Sequence, residues 1–114
     1  MIRNKPSIRL YHNAGDNILI KEICAGMEEE GVPFEIMMYT DSKVDTLSYE
    51  ASKSSVLGVG IGVMNHQVAI QMSPLPKGKN LFQIDHPTLI QARLLGMNAA
   101  RAVKRMPFKS IEMV

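Results

Sequence analysis

The chain has 114 residues, 46% hydrophobic and 21% charged, and its 13 basic and 11 acidic residues leave a formal net charge of +2. That length supports one domain, residues 1–114, with one sizeable core; the charge is too small to argue for nucleic acid or an anionic membrane as partner. A single cysteine, Cys24, allows neither an internal disulfide nor a cysteine-rich metal pattern and fits a reducing cytoplasm; no run reaches the ~20 apolar residues of a membrane span, and Met1–Pro6, polar and basic, reads as neither signal peptide nor anchor.

Ser7–Tyr11 reads as a short strand, followed by a polar turn, His12–Asp16, whose Asp16 is placed to cap a helix. Ile20, Ile23, Cys24 and Met27 recur at helical spacing. Gly31 suits the position after the helix, and Pro33 stops any continuation. Phe34–Tyr39 is a second strand. Ser42 with Asp45 resembles a capping box, opening a short helix along Val44, Leu47 and Ala51. Val56–Met64 is a third strand, apolar on both faces apart from its glycines, as in a covered central strand. Asn65-His66 turns into Gln67–Met72, its hairpin partner. Ser73–Asn80, with Pro74, Pro76 and Gly78, is a loop. Leu81–Ile84 is a fifth strand. Asp85–Thr88 leads into a long helix, with Ile90, Leu94, Met97, Ala100 and Val103 as its inner face and Met106-Pro107 at its end.

The order β-α-β-α-β-β-β-α argues for a three-layer α/β/α domain with a mostly parallel sheet. In such sheets ligands bind beyond the carboxyl ends of the strands. Loops 12–16, 40–43 and 64–66 are therefore the first places to look.

Gly58, Gly60 and Gly62 form G-x-G-x-G, but inside an apolar run and not between a strand and a helix. They read as one strand face that lets a helix approach, not as a dinucleotide site. His12, His66 and His86 lack metal-ligand spacing, and Cys24 lies on an apolar helix face. No catalytic constellation emerges from these residues. Glu28, Glu29 and Glu30 close the first helix, where carboxylates oppose the macrodipole. They read either as a solvated patch or as an oxygen donor to a hard cation or basic partner. Mg²⁺ and Ca²⁺ want six or more oxygens, so such a cation would need ligands from a second chain. Arg101, Lys104 and Arg105 suit a helix C-terminus and, with Arg93 and Lys109, also read as a basic stripe toward a partner.

Three segments together resemble the small subunits of reactivating factors for coenzyme B12-dependent diol and glycerol dehydratases. They are Glu28-Glu29-Glu30-Gly31-Val32-Pro33-Phe34; Ser54-Ser55-Val56-Leu57 with Val59-Gly60-Ile61; and Asn98-Ala99-Ala100-Arg101-Ala102-Val103-Lys104 with Met106-Pro107-Phe108. The likeness runs from about residue 16 to 108 in order and spacing. It departs in the N-terminal loop, after which the family carries a Trp and this chain has none. The resemblance implies a swivelling-domain fold like that of the dehydratase medium subunit. It implies a non-catalytic subunit that pairs with a large, ATP-hydrolysing subunit and transiently with the dehydratase, exchanging with its medium subunit so that damaged cobalamin leaves. It implies no cofactor held by this chain alone, with Mg²⁺ or Ca²⁺ at the large-subunit interface. By register Glu29 completes that metal site, flanked at the interface by Glu28 and Glu30. A cytoplasmic, microcompartment-associated location goes with it. The alternatives are a medium-subunit-like component of a dehydratase and a standalone small-ligand-binding α/β domain.

Overall fold

The computed structural model describes residues 6–112; the reading of the first five residues lies outside them. The elements are β1 (Ile8–Asn13), α1 (Asn17–Glu29), β2 (Phe34–Met38), α2 (Val44–Ser54), β3 (Val59–Met64), β4 (Gln67–Met72), β5 (Phe82–Asp85) and α3 (Leu89–Lys104). The sheet order is β2-β1-β3-β4-β5. β1 pairs in parallel with β2 and β3, while β4 is antiparallel to both β3 and β5. Four of the five strands therefore share one direction and β4 alone opposes them, so the sheet is mixed but mostly parallel, as the element order implied. The chain steps outward from β1 to β2, then returns past β1 to β3. Right-handed crossovers in opposite directions put α1 and α2 on opposite faces.

The two faces differ in what they bury. Ile8, Leu10, Val59, Ile61 and Val63 point with Val68 and Ile70 into the main core under α1 and α3. The α2 face is thinner: Tyr11, Leu47 and Ala51 form a small cluster, with Tyr39 stacked on Tyr11 at 4.7 Å. Glycine makes that thinness possible. A Cβ on Gly60 would stand 2.1 Å from the Ser52 nitrogen, and one on Gly62 2.6 Å from the Ser48 nitrogen. The sequence reading of these two glycines as a helix-approach face holds. Gly58 is different: it precedes β3 in a turn with φ of +77°, so the strand is shorter than Val56–Met64. Val56 lies in that turn and is exposed.

Two other local expectations change. Ser42 does not cap α2. Lys43 holds the N-cap position without a side-chain bond, and the Asp45 carboxylate turns away to accept from Asn80 at 2.8 Å. On α3 the inner face is rotated from the expected one. Ile90 is 75% exposed, and the buried row is Ala92, Leu95, Gly96, Asn98, Ala99, Ala100 and Ala102. Small residues win there because α1 and α3 cross at backbone contact. A Cβ on Gly96 would meet the Ile23 carbonyl oxygen at 1.9 Å, and one on Gly26 the Arg93 carbonyl oxygen at 2.1 Å. Large apolar side chains could not occupy that seam. Thr88 and Gln91 form the capping box that starts α3.

Candidate functional site

The loops beyond the carboxyl ends of β1 and β3 do converge, but they bind each other. The Asn13 amide donates to the Asp41 carbonyl at 2.7 Å. Asp16 caps α1 by accepting from the Leu19 N–H at 3.0 Å, and its other oxygen faces His66 Nε2 at 3.2 Å. The Leu19 N–H, aided by His66, holds the Asp16 carboxyl below its usual range. His66 stacks on His86 at 5.2 Å, and the His86 N–H donates to the His66 carbonyl at 2.8 Å. His12 stands at the end of β1 with its Nδ1 buried and unpartnered. Among the described residues no serine, threonine or cysteine side chain is hydrogen-bonded to these groups. Cys24 belongs to the apolar core, where burial, reinforced by the Glu28 carboxylate, pushes its thiol up to about 11. Among the described residues no three His, Cys, Asp or Glu side chains could hold a metal ion.

The three glutamates that end α1 have three different surroundings. Glu28 is exposed and makes no side-chain bond among the described residues. Glu29, half exposed, accepts from Arg93 Nη1 at 2.5 Å, while Arg93 Nε donates to Glu22 at 3.0 Å. Glu30 has a side chain only 9% exposed, between Arg101 Nε at 3.1 Å and Lys104 Nζ at 2.9 Å. Lys104, then Arg101, hold its carboxyl below the usual range. The basic stripe read from the sequence is thus largely spent within the chain: Arg93, Arg101 and Lys104 turn back onto α1, because α3 lies directly against it.

The closing segment is fastened by the same helix. Buried Asn98 donates to the Lys109 carbonyl at 2.9 Å and accepts from the Lys109 N–H at 2.7 Å. Arg101 Nη1 donates to the Pro107 carbonyl at 3.1 Å, and Phe108 meets Phe82 edge to face. Ser55 Oγ likewise donates to the Ser7 carbonyl at 2.6 Å and accepts from Leu57 N–H. The segments that looked alike in sequence therefore include the joints of the fold: the glutamate run and the Asn-Ala-Ala-Arg run meet through Glu30 and Arg101. Sequence reasoning missed Arg93 as a partner of Glu29. It also missed the apolar surface beside it, where Leu89 and Ile90 are 51% and 75% exposed. Glu22, Leu89, Ile90 and Arg93 line an open cleft of about 290 Å³.

The described residues form a small α/β domain on which a run of carboxylates closes α1 against the basic side chains of α3. Residues 5–109 match the family model described as dehydratase medium subunit, and the chain belongs to that family. Within it, the chain groups with the small subunits of diol and glycerol dehydratase-reactivating factors. It is 36% identical over 107 residues to the diol dehydratase-reactivating factor small subunit of Klebsiella michiganensis, covering 93% of this chain and 86% of that one. It is 36% identical over 91 residues to the propanediol dehydratase-reactivating factor small subunit of Salmonella typhimurium, covering 79% and 78%. Among solved structures, a glycerol dehydratase reactivase chain superposes with a TM-score of 0.88 at 32% identity, covering 93% of this chain and 98% of that one. A chain of diol dehydratase-reactivating factor complexed with ADP and Mg²⁺ gives 0.87 at 34% identity, covering 93% and 99%.

Proposed function

We propose that this chain acts by subunit exchange: within a reactivating factor it takes the place of a dehydratase's own medium subunit, opening the gap through which damaged cobalamin leaves. The observation that carries this reading is that the chain belongs to the dehydratase medium subunit family while its near relatives are reactivating-factor small subunits. A domain with the shape of the subunit it displaces can occupy the same seat. The chain itself is non-catalytic in this scheme. ATP hydrolysis falls to the large partner subunit, and the work is cytoplasmic, within or beside a microcompartment.

Glu29 is the contact we assign to the large subunit. One carboxylate cannot satisfy Mg²⁺ or Ca²⁺, which need about six or more oxygens. It can complete a site whose other ligands are on the partner. Glu29 suits that role because it is 47% exposed and its Oε1 has no hydrogen-bond partner among the described residues. Glu28 and Glu30 flank it at the interface, Glu30 as a fixed support.

The test is displacement. The chain, assembled with its large subunit and supplied with ATP and Mg²⁺, is mixed with inactivated dehydratase and resolved by size-exclusion chromatography. The chain is expected to migrate with the remaining dehydratase subunits while the medium subunit and cobalamin elute separately. Cobalamin release without loss of the medium subunit sinks the exchange mechanism.

A further inference from the structure

Arg93 occupies one oxygen, Oε2, of the carboxylate that the proposed metal contact requires. Its Nη1 holds Glu29 at 2.5 Å and its Nε holds Glu22 at 3.0 Å. Glu22 and Glu29 are seven residues apart on α1, about two turns, so one guanidinium fork spans both. The Arg93 backbone is fixed, because its carbonyl oxygen lies where Gly26 has no Cβ. The side chain is not fixed: it is 40% exposed beside the open cleft lined by Leu89 and Ile90.

A guanidinium keeps its charge at any ordinary pH. A divalent cation on Glu29 would stand within a few Å of it, and like charges at that range repel. The cation and Arg93 therefore compete for one carboxylate. Resting on the assignment of Glu29 as a metal ligand, we propose that Arg93 is a built-in competitor. It covers Glu29 in the free chain and retreats onto Glu22 when the large subunit brings its divalent cation. The half-exposed Arg93–Glu29 pair is weak enough for a cation with several partner ligands to displace. Free Mg²⁺, which keeps its waters and gains one carboxylate, has far less to offer. Glu22 keeps the displaced guanidinium paired, so assembly does not strand a charge.

The experiment reads association of the chain with its large subunit by biolayer interferometry across a Mg²⁺ titration. Arg93→Gln is expected to lower the Mg²⁺ concentration for half-maximal association about threefold, the scale of one partly exposed ion pair. Glu22→Gln is expected to raise it, because Arg93 then has Glu29 as its only partner. Arg93→Lys, which cannot fork between two carboxylates, should shift it as Arg93→Gln does but by less, and it serves if Arg93→Gln fails to fold. A purely structural tie between α1 and α3 would move Arg93→Gln and Glu22→Gln in the same direction. That result, or no shift in either, overturns the competitor. Glu29→Gln separates the two ideas. If it leaves the Mg²⁺ dependence intact, the ligand assignment itself fails; if it abolishes the dependence while the Arg93 and Glu22 variants match wild type, only the competitor fails.

Discussion

Lys104 is joined to Glu30 twice: its Nζ donates to the Glu30 carboxylate at 2.9 Å and to the Glu30 backbone carbonyl at 2.7 Å. The second bond satisfies a carbonyl at the exposed end of α1, which the helix itself cannot do. The first explains why a carboxylate is tolerated where the macrodipole opposes it. For Glu30, the basic partner that offsets the unfavourable position comes from α3 of the same chain.

The Glu30 carboxyl is held below its ordinary value of 4.5 by Lys104 and then Arg101. A depressed folded value means the ionised form favours the fold. The stabilisation is complete above the unfolded value and is lost as pH falls through the folded one. Glu30→Gln is therefore expected to lower the melting temperature by a few degrees at neutral pH. The gap between wild type and variant should start to narrow near pH 4.5 and close as the folded carboxyl becomes protonated at lower pH. A gap that persists unchanged in acid would mean that packing, not charge, is what Glu30 supplies.

The α1–α3 seam makes a sharper stability prediction. Ala at Gly96 would put a methyl on the Ile23 carbonyl oxygen, a backbone atom that cannot swing aside. Overpacking of this kind costs about 1–3 kcal/mol and more where the backbone must move. Gly96→Ala should lose about 2 kcal/mol or more in urea unfolding monitored by circular dichroism. A loss below about 0.5 kcal/mol, the size of a surface substitution, would show that the helices can part without cost.

Local chemistry made most of the fold legible. Asp16 stands at a strand–helix boundary and caps as expected, and Gly31, with φ of +75°, follows α1 as its position suggested. The errors fall where the decisive contact is distant in sequence. Ser42 and Asp45 satisfied a local capping pattern, yet Asn80, 35 residues beyond Asp45, claims the carboxylate. The inner face of α3 was assigned by apolar size, but a backbone-to-backbone crossing selects glycine and alanine. The candidate site was the least legible part. Glu29 and Arg93 are 64 residues apart, and nothing local in either segment announces the pair. The stacking of His66 on His86 was not read from the sequence either, since 20 residues separate them, and His12 stands apart from that pair with its Nδ1 buried.

Cys24 offers a test of core integrity. Its thiol is pushed up to about 11 from 9.0 by burial and then by Glu28. For a thiol, a raised folded value favours the neutral form: that contribution is complete below pH 9 and is lost as pH rises toward 11. At pH 7.5 a shift of that size leaves about a hundredfold less thiolate than in the unfolded chain, and thiolate is the reactive form. Reaction with an aromatic disulfide reagent should be slow in buffer and immediate in denaturant. Rapid modification of the folded chain would show that α1 opens locally far more often than its packing implies.

The last prediction separates the three glutamates. Successive helical residues diverge by roughly 100°, so Glu28, Glu29 and Glu30 cannot all address one ion. Glu30 is occupied by Arg101 and Lys104, and Glu28 has no partner among the described residues. Only Glu29 is both oriented by a neighbour and half open to solvent. Glu29→Ala should therefore weaken association with the large subunit about tenfold or more, as expected for removing one oxygen ligand from a shared divalent site. Its melting temperature should stay near wild type, since the Arg93 pair it loses is partly exposed and weak. Glu28→Ala should match wild type in both measurements. Glu30→Ala should melt earlier, and at temperatures where it is folded should bind nearly as wild type does. A chelator should weaken the wild-type complex more than the Glu29→Ala complex, because the variant has already lost its share of the metal site. Equal binding by all three variants, with equal sensitivity to chelator, would leave the run as a surface feature with one structural member, Glu30, and would remove the metal contact from the mechanism.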